Sequence, residues 1–252
     1  MESRNIPLKE MLATVLMCTC FDFSVIAMNK GILIDGVASR NGQEQWNYTE
    51  YKGGPHRLYV IRNNEDAEKL VDGCPFEAIQ VCGEVTVPLD LSKCKNLEEL
   101  TINSNINGSI DLSNCNTLAR LTIHGNISGS ITLPEALYSL DIYDKLSGTI
   151  IFPASEGQLM DVFIGSDAEI TNKLDLSNCN NLRKITILGK LRGGIVPSGK
   201  FEKVTVSSNA EITGGLDLSR CTWLSEVQTK KGLENLLTLP RQSPFLIHRT
   251  LN

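Results

Sequence analysis

The sequence predicts a mainly β fold, a solenoid of about eight short coils with strands on two faces and a short N-terminal capping helix. The first observation behind this is repetition. LDLSKCKNLEELTINSNINGS starts at Leu89, IDLSNCNTLARLTIHGNISGS at Ile110, LDLSNCNNLRKITILGKLRGG at Leu174 and LDLSRCTWLSEVQ at Leu216. Self-similarity at a short fixed period is the mark of a stacked-repeat architecture. The second is composition: aromatic residues make up 6% of the chain against 20 glycines, which suits thin aliphatic layers better than a thick aromatic core. The third is alternation within each copy, where Leu100 and Ile102, then Ile110 and Leu112, recur at every second position as strand periodicity requires.

The elements follow in chain order. An apolar run from Met11 to Met28 follows a polar start, the layout of a secretory signal peptide over residues 1–27 with Val25-Ile26-Ala27 as a cleavage site. Arg4 and Lys9 are offset by Glu2 and Glu10, and Asp22 interrupts the run, so an uncleaved membrane anchor and a packed N-terminal helix are the alternatives. Residues 28–54, with Trp46, Asn47 and Gly53-Gly54, read as a loop-rich lead-in. Residues 55–75 read as the N-terminal cap that an uncovered first coil needs. Within it His56 to Ile61 is a strand, and Asn63 or Asn64 caps a helix running through Val71 with Ala67, Leu70 and Val71 on one face.

The solenoid itself occupies 76–233. Degenerate copies beginning at Ile131, Ile150 and Ile195 fill the gaps between the clear ones, and Phe76, Ile79 and Val81 repeat the spacing of Leu97, Leu100 and Ile102. After each second strand, Ser113-Asn-Cys-Asn-Thr-Leu118 reads as one helical turn, with Ser92, Ser113, Ser177 and Ser219 at the capping position. Residues 234–252 are either a C-terminal cap or a frayed tail.

Each unit carries a form of L-x-x-L-x-I-x-x-N, as in Leu97, Leu100, Ile102 and Asn105, and in this the chain resembles the leucine-rich repeat family. The cap is similar to the opening of receptor L-domains. The resemblance implies a right-handed winding and a ladder of buried asparagines. The chain departs from the family where Asn105-Ile106 and Asn126-Ile127 are adjacent without a spacer, and where Lys145, Asp167 and Lys190 take the asparagine position.

Of the eight cysteines, Cys94, Cys115, Cys179 and Cys221 each lie three residues before a leucine. One residue type recurring at one repeat position reads as a small buried hydrophobe, so stacked free thiols are expected over disulfides. No CxxC pair, HExxH, Walker or GxSxG pattern occurs, and neither a metal nor another cofactor is expected. A formal charge of −5, from 24 basic and 29 acidic residues, argues against nucleic acid as a partner. A membrane enters only through the N-terminal segment if it is uncleaved.

The inward apolar residues define which positions face out. The central outward column runs Gln80, Thr101, Thr122, Asp141, Phe163, Thr186, Thr205, Gln228, and the next runs Cys82, Asn103, His124, Tyr143, Gly165, Leu188, Ser207, Lys230. Threonine is the ordinary choice on a solvated ladder. His124, Asp141, Tyr143, Phe163 and Leu188 break it on consecutive coils and form the expected binding patch. Glu99 beside Arg120 and Asp161 beside Lys184 read as cross-strand ion pairs, and Asp90, Asp111, Asp175 and Asp217 as solvated turn residues rather than a calcium row.

The function expected is a secreted or surface-displayed recognition module that binds a protein, with a glycan as the alternative ligand, and not an enzyme. The other readings are a carbohydrate-active β-solenoid using Asp141 and Asp161 as acid and base near His124, and a structural protein that self-associates through its ends.

Overall fold

The computed structural model describes residues 31–35, 47–48, 56–70, 75–86, 89–154, 157–230, 237–241 and 247–251. Residues 1–27, with Cys18, Cys20 and the signal-peptide reading, lie outside the described residues, as do Val71, most of the 28–54 lead-in and much of the tail. Among the described residues no helix is long and apolar enough to cross a membrane.

The chain winds as a β-solenoid of about eight coils. Its principal row of parallel strands comprises Ala78–Val81, Glu99–Ile102, Arg120–Ile123, Ser139–Ile142, Asp161–Ile164, Lys184–Ile187, Lys203–Val206 and Glu226–Lys230. The pairing register is unbroken: Leu100, Leu121, Leu140, Val162, Ile185, Val204 and Val227 are opposite one another. So are Ile102, Ile123, Ile142, Ile164, Ile187 and Val206. All of these side chains are buried in one continuous core. A slip of one residue in any coil would turn both apolar columns to solvent, so the alternation itself holds the register.

Where two strand rows per coil are expected, the structure has three. After the long strand, Ile106 and Ile127 form isolated bridges that continue as Lys145–Leu146, Glu169–Ile170, Lys190–Leu191 and Glu211–Ile212. The third row then contains Ile110–Asp111, Ile131–Thr132 and Ile150–Ile151, and further along Leu174–Asp175 with Ile195–Val196. The break between these two short rows is a glycine corner. A Cβ on Gly129 would lie 2.2 Å from the carbonyl oxygen of Gly108, and one on Gly148 would lie 1.7 Å from that of Gly129. Successive backbones touch there, so the chain bends and the expected single strand divides.

The segment after the third row is not a helical turn but two consecutive reverse turns. Cys115 N–H donates to Leu112 O at 2.9 Å, and Leu118 N–H to Cys115 O at 3.0 Å. The capping group is the aspartate rather than the serine: Asp111 Oδ1 accepts Ser113 N–H at 2.9 Å, and Asp90, Asp175 and Asp217 do the same for Ser92, Ser177 and Ser219. These Asx turns account for the recurring Asp-Leu-Ser. Asn105 and Asn126 are exposed rather than buried; Asn105 Oδ1 accepts Asn126 N–H at 2.9 Å, and Asn126 Oδ1 accepts Lys145 N–H at 3.2 Å, so each amide ties its coil to the next from outside.

Cys94, Cys115, Cys179 and Cys221 are buried free thiols. Burial pushes the thiol of Cys179 up to about 12 and that of Cys221 up to about 11, which keeps both protonated and unreactive.

At the N-terminal side, His56–Ile61 pairs with Ala78–Val81, and the row extends beyond it to Gly31–Asp35 and Asn47–Tyr48. A single helical turn, Asn64–Glu68, follows His56–Ile61; the side chain of Asn63 accepts Asp66 N–H at 2.9 Å. The Tyr59 hydroxyl donates to Asp66 O at 2.9 Å, and its ring stacks on Phe76 at 4.6 Å, tying the turn to the core. At the other end Ile247–Leu251 adds a parallel strand to Glu226–Lys230, and Leu237–Thr238 pairs with Leu216–Asp217.

Candidate functional site

The outward columns of the principal row fall where the alternation places them. Thr122 is opposite Asp141, Asp141 opposite Phe163, and Phe163 opposite Thr186. One step further along the strands, Tyr143 N–H donates to Ile123 O at 2.8 Å, Gly165 N–H to Ile142 O at 2.7 Å and Leu188 N–H to Ile164 O at 2.8 Å, so His124, Tyr143, Gly165 and Leu188 lie on successive coils. All four side chains of His124, Tyr143, Phe163 and Leu188 are half-buried.

Three of the five expected patch residues join as rings. His124 and Tyr143 stack with centroids 4.3 Å apart and planes 6° from parallel, while Tyr143 meets Phe163 at 5.3 Å and 43°. The first separation is close to the spacing of neighbouring strands, about 4.8 Å, so these two rings stack along the solenoid axis. Phe163 reaches Tyr143 diagonally across the ladder, as long side chains can. A glycine in the neighbouring coil makes room: a Cβ at Gly165 would lie 2.9 Å from Tyr143 Cδ1. Leu188 stands two coils beyond Tyr143, with Gly165 between them.

Charge surrounds the rings on both sides. Burial, and then the nearby charge of Asp161, raises the Asp141 carboxyl above the usual carboxylate range, opposed by a hydrogen bond to Ser139 and by the more distant Lys184 and Arg120. On the other side Asp144 is also raised, first by burial, while the charge of His124 works in the opposite direction. Burial lowers His124 and raises the Tyr143 phenol, so both are neutral near pH 7. The expected cross-strand pairs form: Lys184 Nζ is 2.8 Å from Asp161 Oδ2, and Arg120 pairs with Glu99. Asp161 Oδ1 is buried with no hydrogen-bond partner among the described residues.

Asp141 and Asp161 therefore do lie near each other, but they are side by side on a flat sheet rather than facing across a cleft. Two concave spaces among the described residues lie elsewhere. A groove of about 690 Å³ is lined by Glu84, Thr86, Ser104, Asn105 and Asn107, and an apolar gap of about 10 Å³ beside Leu133, Phe152 and Cys179 has room for a water at most. Among the described residues no group of three or more His, Cys, Asp or Glu is arranged to hold a metal ion.

Sequence reasoning missed Asp144, whose only signal is its place next to Tyr143. It also missed three exposed apolar side chains, Tyr138 (48%), Ile151 (45%) and Trp223 (59%). Tyr138 was findable, since it takes the place of Glu98 and Ala119 in the column just before the long strands.

Fold and surface together define a β-solenoid repeat protein with one aromatic, acid-flanked strip on its principal sheet. Comparison with known proteins finds no matching family model, no curated relative and no similar solved structure.

Proposed function

We propose that the protein is an exported recognition module that binds a protein partner through the outer face of its principal sheet. The observation that carries this is the contiguous strip of His124, Tyr143 and Phe163, three half-buried rings on a face where most coils carry threonine, other polar residues or paired charges. Clustered aromatic groups on a rigid sheet serve as anchors for a protein interface. Their mutual stacking favours a protein over a glycan, because His124 and Tyr143 use facing ring surfaces on each other and turn their edges outward, whereas sugars pack on ring faces.

Within this reading the solenoid is right-handed and akin to leucine-rich repeats in its inward apolar spacing, though not in its exposed asparagines. The Asn64–Glu68 turn acts with His56–Ile61 as part of the N-terminal cap, and residues 1–27 direct export.

A photo-crosslinking phenylalanine analogue placed at position 163 tests the binding face, with the same analogue at Thr205 as a control on the same column. In cells that make the protein, a discrete protein adduct is expected from position 163 and not from 205. Equal adducts from both positions, or none from 163, would remove the patch as the recognition surface. N-terminal sequencing of the cell-external protein should begin at Met28; recovery of an intact Met1 only inside cells would remove the export reading.

A further inference from the structure

The strip has a charge vacancy that points to the chemistry of its partner. On the outer face of the principal sheet Glu99 pairs with Arg120, Asp161 with Lys184 at 2.8 Å and Glu226 with Lys203 at 3.0 Å. Asp141, on the same face, has no cationic group within 4 Å among the described residues. Its nearest cations, Lys184 and Arg120, are committed to Asp161 and Glu99. A half-buried carboxylate without a countercharge is costly to hold.

Asp141 has a hydrogen bond to Ser139, and beside it one oxygen of Asp161 lacks any. Asp161 offers Oδ2 to Lys184 and leaves Oδ1 buried with no hydrogen-bond partner among the described residues. The register gives the layout. Asp161 and Phe163 are two residues apart on one strand and share its outer face, and across the ladder they are opposite Ser139 and Asp141. The two carboxylates are therefore diagonal neighbours with the Phe163 ring at one corner. Phe163 is tilted 43° from Tyr143, so no parallel ring closes off its face.

We propose that this square is the seat of an arginine side chain from the protein partner, with its guanidinium bridging Asp141 and Asp161 and its plane resting on Phe163. The inference builds on the recognition function above. Arginine fits better than lysine because its planar fork reaches two carboxylates at once and stacks on an aromatic face, whereas an ammonium is a single, strongly hydrated point charge. The aromatic contact adds a cation–π component when the site is desolvated by the partner. Asp144, on the far side of the rings, extends the same sign of charge and makes the whole strip complementary to a basic segment.

The test uses N-acetyl-arginine amide and N-acetyl-lysine amide, two probes of the same charge, titrated into the full chain labelled with ¹⁵N and followed by NMR. The expected result is a set of shifts confined to the Ser139–Tyr143 and Asp161–Gly165 amides. The arginine probe should bind about fivefold or more tightly than the lysine probe, and Asp141→Asn should weaken it by about fivefold or more. Asp111→Asn, on the third strand row, should leave it unchanged. Equal binding of the two probes, shifts scattered over the acidic surface, indifference to Asp141→Asn, or no shifts at the highest soluble concentration would each overturn the proposal. The crosslink at position 163 keeps the two readings apart: an adduct there with no arginine preference preserves recognition by the strip and removes the arginine seat.

Discussion

The third to fifth coils and the sixth to eighth are alike inside and different outside. Inward, Leu121, Ile123, Leu140, Ile142, Val162 and Ile164 are as fully buried as Ile185, Ile187, Val204, Val206 and Val227. Outward, the later coils satisfy themselves locally. Thr205 Oγ1 donates to Gln228 Oε1 at 3.4 Å, Gln228 Nε2 donates to Glu226 Oε1 at 2.8 Å, and Lys203 reaches Glu226. The earlier coils present stacked rings and a carboxylate without a cation. The winding demands nothing of the outer columns beyond strand compatibility, so that is where one stretch of an otherwise uniform solenoid can diverge.

The largest expected effect tests the shared interior. Ile142→Ala and Ile187→Ala remove equivalent fully buried side chains from the two regions, and each should destabilise the protein by about 2–5 kcal/mol. Urea unfolding of the two variants checks this. A cost at Ile142 far below that at Ile187 would mean that the coils under the strip are loosely packed and that the two regions differ inside as well.

A smaller effect separates the surfaces. Replacing Phe163 and Tyr143 together by alanine should leave thermal unfolding within about 1 kcal/mol of the parent, the scale of an aromatic pair on a surface. The same variant should lose about 2 kcal/mol or more of affinity for any crosslinked partner, while Thr186→Ala with Thr205→Ala loses none. If the ring variant unfolds instead, its side chains belong to the core, and the outward register of the strip is wrong.

The legibility of the molecule follows the same division. All eight principal strands were readable because an inward apolar residue at every second position, repeated about every 21 residues, leaves one register that buries them. The free cysteines were readable for the same reason, being tied to one inward position. What could not be read depends on contacts between coils. The split into three rows arises from the approach of Gly129 to Gly108, and the outward placing of Asn105 and Asn126 from the hydrogen bonds each accepts from the next coil. The strands Gly31–Asp35 and Ile247–Leu251 carry none of the repeat signature, so nothing local announced their place in the sheet. At the candidate site the alternation identified which residues share a face. It could not show that His124 and Tyr143 would use their ring faces on each other, nor that Lys184 would choose Asp161 and leave Asp141 without a cation.

The smallest expected effect is a difference in sign between two aspartates. Asp111 is held below its ordinary value by hydrogen bonds from Ser113, side chain first and backbone next. A lowered carboxyl binds protons more weakly folded than unfolded, so its contribution to stability is present above the unfolded value near 3.8 and is lost as pH falls through the lowered one. Asp141 is raised, chiefly by burial and then by Asp161, so its ionisation opposes folding and stability declines as pH rises from about 3.8 through the raised value. Asparagine keeps a side-chain acceptor at both positions and removes only the charge. At pH 7, Asp111→Asn should therefore lower the melting temperature slightly and Asp141→Asn should raise it, with the Asp141→Asn difference vanishing once the pH is well below 3.8. Differential scanning calorimetry of the two variants across pH 2 to 8 makes the comparison directly. A loss of stability in Asp141→Asn at neutral pH would mean that a cation of this chain already engages the carboxylate, and the contrast between the two stretches of sheet would then rest on the aromatic rings alone.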